Sequence, residues 1–447
     1  MSNELIKLCR KGSELIYSFS KDTRIRVISH YDADGICAAA IICKALHREA
    51  FDFHVSLLRN PFDKAMLRLS KEENELIIFT DMGSGQIEKI EDLNSMSIIL
   101  DHHQSLKQKS SDNVLQINAS LCGIDGNFEI CGSTLAYTFS KTLNKKNIDL
   151  ITLAIIGATG DKQYIGGFRG YNKTIIDEGL KKGIIYEKTE MKLWGNSIYD
   201  CLYYSTDPFY FGISGNKNGV NNLLHKLNLN NNASIDEIDK YKKKKLNSFL
   251  MLQLIKQGCE KNILDTIIRK RFFTNKAKYE LEGFADLLDS CGKGGNRGLG
   301  LCAALGDKNS LKNALKIEKS YKKKILDGII TLVKNGFKDK KNFRYFYSND
   351  SSLGGVIAGI AANFLTDNKK PLFSIVKNQG ELHISCRGNQ YLIRKGLDLG
   401  IAMKKVARNL GGQGGGHAIA SGATIELSRE EEFLKMVDDI ITKQIKV

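Results

Sequence analysis

Aspartate and histidine cluster four times within the first 161 residues. The runs are His30-Tyr-Asp32-Ala-Asp34-Gly35, Thr80-Asp81-Met-Gly83, Asp101-His102-His103 and Gly157-Ala-Thr-Gly-Asp161. The whole chain has eight histidines, and three of them fall in these short runs. Carboxylates brought together repel one another and take raised pKa values unless cations neutralise them, so metal is the economical explanation. Carboxylate mixed with imidazole suits Mn²⁺ or a similar borderline divalent ion better than Ca²⁺. The ligand set exceeds one octahedral shell once water is counted, which points to two ions ~3.5–4 Å apart around a shared carboxylate and a hydroxide. Such a pair activates water for in-line attack at phosphorus. Any one run alone reads equally well as a turn or a helix cap. Four runs at the ends of strands do not.

The elements that must position these groups follow from hydrophobic period. Ile25–Ser29, Phe53–Leu58, Leu76–Thr80 and Ser97–Leu100 read as short buried strands. Helical patterns run between and after them: Gly35 to about Arg48, Pro61 to about Leu69, Gly132–Leu143 and Asp149–Ile156. Strands alternating with helices predict an α/β fold with a doubly wound parallel sheet, whose strand ends converge on one crevice. Residues 1–204 are read as this catalytic domain. Residues 205–342 are Asn- and Lys-rich, with Asn230–Asn232, Lys242–Lys245 and Lys322–Lys324, and read as a mainly helical basic insert. Residues 343–447 read as a small α/β domain with strands at Phe343–Tyr347, Leu372–Val376 and Glu381–Ser385 and a helix from about Arg429.

The chain has 447 residues, 42% apolar and 26% charged, which excludes wholesale disorder and a fibrous repeat. No stretch reaches the ~18 apolar residues of a membrane span, and the N-terminus lacks a signal-peptide pattern. A cytoplasmic protein with no membrane partner is expected. Ten cysteines lie singly with no C-x-x-C pair, as reduced thiols would. The net charge is +16, and residues 201–350, with 28 basic and 15 acidic side chains, carry most of it. A block of this kind suits a polyanion such as nucleic acid, although charge runs are by default solvated helix faces.

With these runs in place, the sequence resembles the DHH phosphoesterase superfamily. Asp101-His102-His103 follows His30-x-Asp32-x-Asp34-Gly35 and precedes Gly160-Asp161, in the family order. The segment Gly411-Gly-Gln-Gly-Gly-Gly-His417-Ala-Ile-Ala-Ser-Gly422 resembles the companion DHHA1 domain. Gly123-Ile-Asp125-Gly126 and Tyr204-Ser-Thr-Asp207-Pro208-Phe209 further resemble the archaeal RecJ-like, or GINS-associated, nucleases. The likeness is weakest from about 215 to 280. It implies that His30, Asp32 and Asp161 bind one Mn²⁺, that Asp34 and His102 bind the second, and that Asp81 bridges them. It further implies that His103 contacts the scissile phosphate and that Asp101 orients the histidines. In the DHHA1 segment, Gly414, Gly415, Gly416 and His417 would hold the nucleic-acid strand, with Arg387 as a second anion-binding candidate. One segment departs from the family. Ala285-Asp-Leu-Leu-Asp289-Ser-Cys291-Gly-Lys293 has Asp289 and Lys293 where RecJ proteins usually carry Asn and Arg. Lys293 still neutralises a phosphate, but without a planar fork, and Asp289 beside it partly cancels its charge.

The resemblance implies a single-strand exonuclease acting on DNA or RNA with two Mn²⁺ ions, or Mg²⁺ in their place, in replication and repair. The GINS complex is the implied partner. Two other readings differ in substrate or class: a nanoRNase or nucleotide phosphatase, whose relatives lack a large basic insert, and a replisome scaffold with reduced nuclease activity. The complete ligand set favours catalysis over a degenerate relative such as the DHH-like subunit of the eukaryotic replicative helicase.

Overall fold

The computed structural model describes residues 3–59, 64–105, 107–275 and 279–445. The chain forms two compact units, Met1–Glu190 with Lys270–Glu318, and Met191–Arg269 with Lys319–Val447.

In the first unit, β1 (Ile25–His30), β2 (Phe53–Leu58), β3 (Leu76–Thr80), β4 (Met96–Asp101) and β5 (Val114–Asn118) form one parallel sheet in the order β2-β1-β3-β4-β5. The central strands are continuous apolar runs because both of their faces are covered; every residue of β3 is buried. The chain crosses from β2 past β1 to β3, so the sheet reverses its winding between β1 and β3. Side chains beyond the carboxyl ends of those two strands therefore face one crevice. Helix Ala33–Arg48 follows β1 and is buried along most of its length, because its Ala38-Ala39-Ala40 stretch allows close packing against helices Gly132–Leu143 and Ile151–Gly160.

The parallel sheet and its four expected strands are present. Helix Asn3–Tyr17 and β5 are among the elements outside those expectations. Helix Asn3–Tyr17 packs against Gly132–Leu143 through an amphipathic stripe of Leu5, Cys9 and Ile16, and β5 is the edge strand, with an apolar–polar alternation only five residues long. The expected helix start at Pro61 lies outside the described residues; the helix is described over Lys64–Leu69.

β6 (Ile185–Met191) and β7 (Ile268–Thr274) pair as a two-stranded ribbon. Helices Leu281–Lys293 and Arg297–Leu305 then pack on helix Ala33–Arg48. Residues 270–318 therefore belong to the first unit, a grouping that differs from the three-part division read from composition. Their apolar faces, including Phe284, Leu287 and Leu288, bury against that unit's helices.

The second unit is built on a six-stranded sheet of β8 (Lys338–Asp339), β9 (Arg344–Tyr347), β10 (Leu372–Asn378), β11 (Glu381–Arg387), β12 (Gln413–Gly416) and β13 (Ala420–Glu426), ordered β12-β13-β11-β10-β9-β8. Only β9 and β10 run parallel within it. Along β11 the side chains alternate. Leu382, Ile384 and Cys386 join a core with helix Leu399–Asn409, whereas Ser385 and Arg387 face the glycines of helix Ser351–Phe364. Helix Lys240–Lys256 contributes a buried stripe of Leu246, Leu250 and Leu254 to a core that also contains Phe346, Ile357 and Leu372. The basic helical segment and the C-terminal sheet thus share one apolar core. Among the described residues, no helix is long and apolar enough to cross a membrane.

Candidate metal centre

Three adjacent strands end at the site. β1 ends in His30, β3 runs into Asp81, and Asp101 is the last residue of β4, followed by His102 and His103. Asp32 caps helix Ala33–Arg48, its carboxylate accepting the Gly35 N–H at 3.0 Å, and Asp34 sits in the first turn. The fourth run is placed differently from the strand-end expectation: Asp161 caps the C-terminus of helix Ile151–Gly160.

These groups form two neighbouring sets of donor atoms. His30, Asp32 and Asp81 make one, and Asp34, His102 and Asp161 the other. A third set joins Asp81 to Asp101, His102 and His103. Asp161 therefore lies with Asp34 and His102, not with His30 and Asp32. Helix Ile151–Gly160 packs along helix Ala33–Arg48, so its C-terminal carboxylate arrives on the Asp34 side. Asp81 links the sets: its Oδ2 is 3.7 Å from His30 Nδ1 and its Oδ1 is 3.2 Å from His102 Nε2.

The donors suit divalent cations. His102 Nδ1 lies 2.7 Å from the Gly126 carbonyl, which can only accept, so that nitrogen carries the proton. Nε2 can then present a lone pair toward Asp81 and toward Asp34 Oδ2, 3.9 Å away. A metal-binding histidine is commonly held in this way, through a carbonyl on its other nitrogen. The carboxylates need compensation. Burial first, then the charges of Asp34 and Asp32, push the Asp81 pKa well above the usual carboxylate range. Asp34 is steadied by the Gly132 and Ser133 N–H groups at 2.7 and 2.9 Å and by the Cys131 thiol at 3.1 Å.

Asp101 and His103 form a separate pair. The Asp101 carboxylate accepts from the Ser84 N–H and the His103 N–H, and its Oδ1 is 2.7 Å from His103 Nδ1. Burial raises the Asp101 pKa, but the His103 bond and charge outweigh it and hold the group below the ordinary range. For His103, burial acts downward, and the Asp101 bond and charge overcome it to lift the pKa to about 9. An imidazolium with Nδ1 on Asp101 leaves Nε2–H as a donor. Asn118, which the motif reading passed over, holds this loop: its amide donates to Ser84 Oγ at 2.7 Å and to the His103 carbonyl at 2.9 Å. Its only sequence signal is a polar residue closing an apolar strand.

Backbone geometry contributes as well. Asp81 has φ 56°, a left-handed conformation that few non-glycine residues adopt and that Asp tolerates better than most. A Cβ on Gly132 would stand 2.5 Å from Asp81 Cβ and 2.6 Å from its Oδ1. Gly132→Ala is therefore expected to displace Asp81, costing about 1–3 kcal/mol of stability. It should also weaken Mn²⁺ binding by about tenfold. Thermal melts with and without Mn²⁺, together with calorimetric titration, check both effects.

The remaining candidate residues lie elsewhere. Lys293 pairs with Asp289 in helix Leu281–Lys293 of the first unit. In the second unit, Gly414, Gly415, Gly416 and His417 line a groove of about 570 Å³ with Asp398, Gly400, Ile401 and Lys404. Arg387 is at the same end of the sheet, since it pairs with Ala420, but faces the opposite side. A Cβ at Gly355 would be 2.8 Å from its Nη2. Burial lowers the Arg387 pKa, its Nη1 donates to the Cys386 carbonyl at 2.9 Å, and among the described residues no carboxylate pairs with it. Ser385 shares that face, opposite Ser374, whose buried hydroxyl has no partner. The motif reading did not select Ser385.

Comparison with known proteins identifies the family. Residues 24–158 match the DHH family N-terminal domain, and residues 342–443 match the DHHA1 domain. An uncharacterised protein of Methanocaldococcus jannaschii is 31% identical over 430 residues, 94% of each chain. CDC45 from Entamoeba histolytica superposes with a TM-score of 0.65 at 14% identity, over 97% of this chain and 99% of that one. RecJ from Thermus thermophilus, solved with Mn²⁺, gives 0.61 at 15% identity, over 98% of this chain and 55% of RecJ. The chain therefore belongs to the DHH/DHHA1 superfamily, as a member with a RecJ-like fold.

Proposed function

We propose that the protein is a Mn²⁺-dependent, single-strand-specific exonuclease that hydrolyses phosphodiester bonds of DNA or RNA, with Mg²⁺ as the substitute ion. The observation that carries this reading is the pair of donor sets joined through Asp81 at the ends of β1, β3 and β4. When bound, two divalent ions would lower the pKa of a water molecule and offset the charge that develops on the phosphate. The protein's own groups do the rest. His30, Asp32 and Asp81 would hold one ion; Asp34, His102 and Asp161, with Asp81 between the sets, would hold the other. His103, aligned by Asp101, donates Nε2–H to a non-bridging phosphate oxygen and stabilises the negative charge that grows there.

In the second unit, Arg387 is the proposed phosphate ligand, because a buried guanidinium without a carboxylate partner gains most from a bidentate anion. Ser385 beside it adds a donor. The His417 groove is proposed to guide the strand. Arg387→Ala should raise the Kd for a single strand by about 10–100-fold, the scale of a lost charged hydrogen bond, and leave Mn²⁺ stoichiometry unchanged. Fluorescence anisotropy and metal analysis check the two halves. The basic residues of 201–350 support a longer polymer over a dinucleotide, and a GINS complex is the proposed protein partner at the replisome.

The test is digestion of end-labelled single-stranded DNA, single-stranded RNA, duplex and dinucleotide, each label position separately, with Mn²⁺ or with EDTA. Mononucleotide release from single strands, absent in EDTA, is expected. Cleavage restricted to dinucleotides would favour the nanoRNase reading. Mn²⁺ binding and GINS capture without hydrolysis would favour the scaffold.

A further inference from the structure

Helix Leu281–Lys293 and the residues just after it close on the turn that carries the first ligand run. A Cβ on Gly292 would lie 1.9 Å from the Tyr31 carbonyl oxygen, so the helix approaches that turn backbone to backbone. Arg297 lies over the Tyr31 ring at 5.4 Å from its centroid and donates to the Leu57 carbonyl at 3.1 Å. Between these contacts stands Asp289. Its Oδ1 accepts the Ala33 N–H at 2.9 Å, and its Oδ2 pairs with Lys293 Nζ at 2.5 Å.

Ala33 begins the helix whose cap is Asp32. The first four N–H groups of a helix have no partner inside it and must find one elsewhere. Asp32 already takes the Gly35 N–H with Oδ1 and faces His30 Nδ1 with Oδ2 at 2.9 Å. An unclaimed Ala33 N–H would compete for that carboxylate. Lys293 stands beside the same group, since the carboxylate it pairs with also takes the N–H of Ala33, the residue next to Asp32. Removal of the Asp289 charge would make Lys293 oppose a cation bound at Asp32 more strongly.

We propose that Asp289 is a positioning residue for the ion held by His30, Asp32 and Asp81: it satisfies the Ala33 N–H so that Asp32 stays open to metal, and it neutralises Lys293 beside that ligand. Aspartate and lysine at these two positions then work as a matched pair. An asparagine at 289 keeps an acceptor for Ala33 but removes the carboxylate charge that Lys293 pairs with. The inference rests on the metal reading above.

Calorimetric titration of Mn²⁺ into the full chain separates the two ideas. Asp289→Asn should weaken one of the two sites by about tenfold. Adding Lys293→Gln to that variant should restore affinity to within about threefold, because the charge balance returns. Lys293→Gln alone should tighten Mn²⁺ binding, since Asp289 is then uncompensated; this arm decides the matter if Asp289→Asn does not fold. A merely structural contact would show no rescue by removal of the opposite charge. Unchanged Mn²⁺ affinity in folded Asp289→Asn, no recovery in the double variant, or weaker binding in Lys293→Gln would each overturn the proposal. A wild-type protein that binds no Mn²⁺ would overturn the metal reading itself.

Discussion

Asp81→Asn is expected to reduce hydrolysis on the order of 10³-fold or more, because it disables the metal pair on which the proposed activation of water depends. Asp81 belongs to the His30 set, and its Oδ1 lies 3.2 Å from His102 Nε2 of the other, so its loss would remove a carboxylate that reaches both proposed ions. Asparagine is the suitable replacement. It tolerates the left-handed backbone at φ 56° nearly as well as aspartate and keeps the side-chain shape. Because burial and the neighbouring carboxylates penalise a charged Asp81, the metal-free variant should melt no lower than the metal-free wild type. Loss of activity with that melting behaviour excludes misfolding as its cause. Metal analysis should show at most one Mn²⁺ per chain, and wild-type activity in the variant would remove the bridge from the account.

His103→Ala tests the catalytic group outside the proposed ligand shells. Its side chain is 51% exposed, with Nδ1 fixed on Asp101, so the Nε2–H is available to substrate. Truncation should lower kcat by about 10²–10³-fold, as loss of one donor to a developing oxyanion does. Two Mn²⁺ should remain bound. If Mn²⁺ leaves together with activity, His103 is a ligand and not a phosphate donor.

The candidate ligands were legible as a group because three of the four runs sit at strand ends, where chain order and spatial position coincide. His30, Asp81 and Asp101 follow short apolar strands, and a parallel sheet brings such ends together whatever the loops do. Asp161 was legible as a candidate but not in its grouping. Its place depends on how two buried helices pack side by side, which no local pattern encodes. Asp289 is harder still. Its partner is the Ala33 N–H, a backbone group 256 residues away, and only its pairing with Lys293, four residues along one helix, could be anticipated from spacing.

Composition and packing divide the chain differently. The Lys- and Asn-rich stretch changes surface chemistry at about residue 205, but packing follows the apolar face. Leu246 and Leu250 join the core of the second unit, whereas Leu287 and Leu288 pack in the first. Similarly, Arg387 and the Gly414–His417 segment read from sequence as two anion-binding candidates, with no signal for the faces they occupy. Alternation along β11 sends Arg387 to the face opposite the groove.

The central claim is that six side chains from four runs hold two adjacent divalent ions. Crystals grown or soaked with Mn²⁺ and measured at the manganese absorption edge test it directly. The account predicts two anomalous peaks ~3.5–4 Å apart. One should be flanked by His30, Asp32 and Asp81 and the other by Asp34, Asp81, His102 and Asp161. A single peak, or two peaks that do not share Asp81, would contradict it.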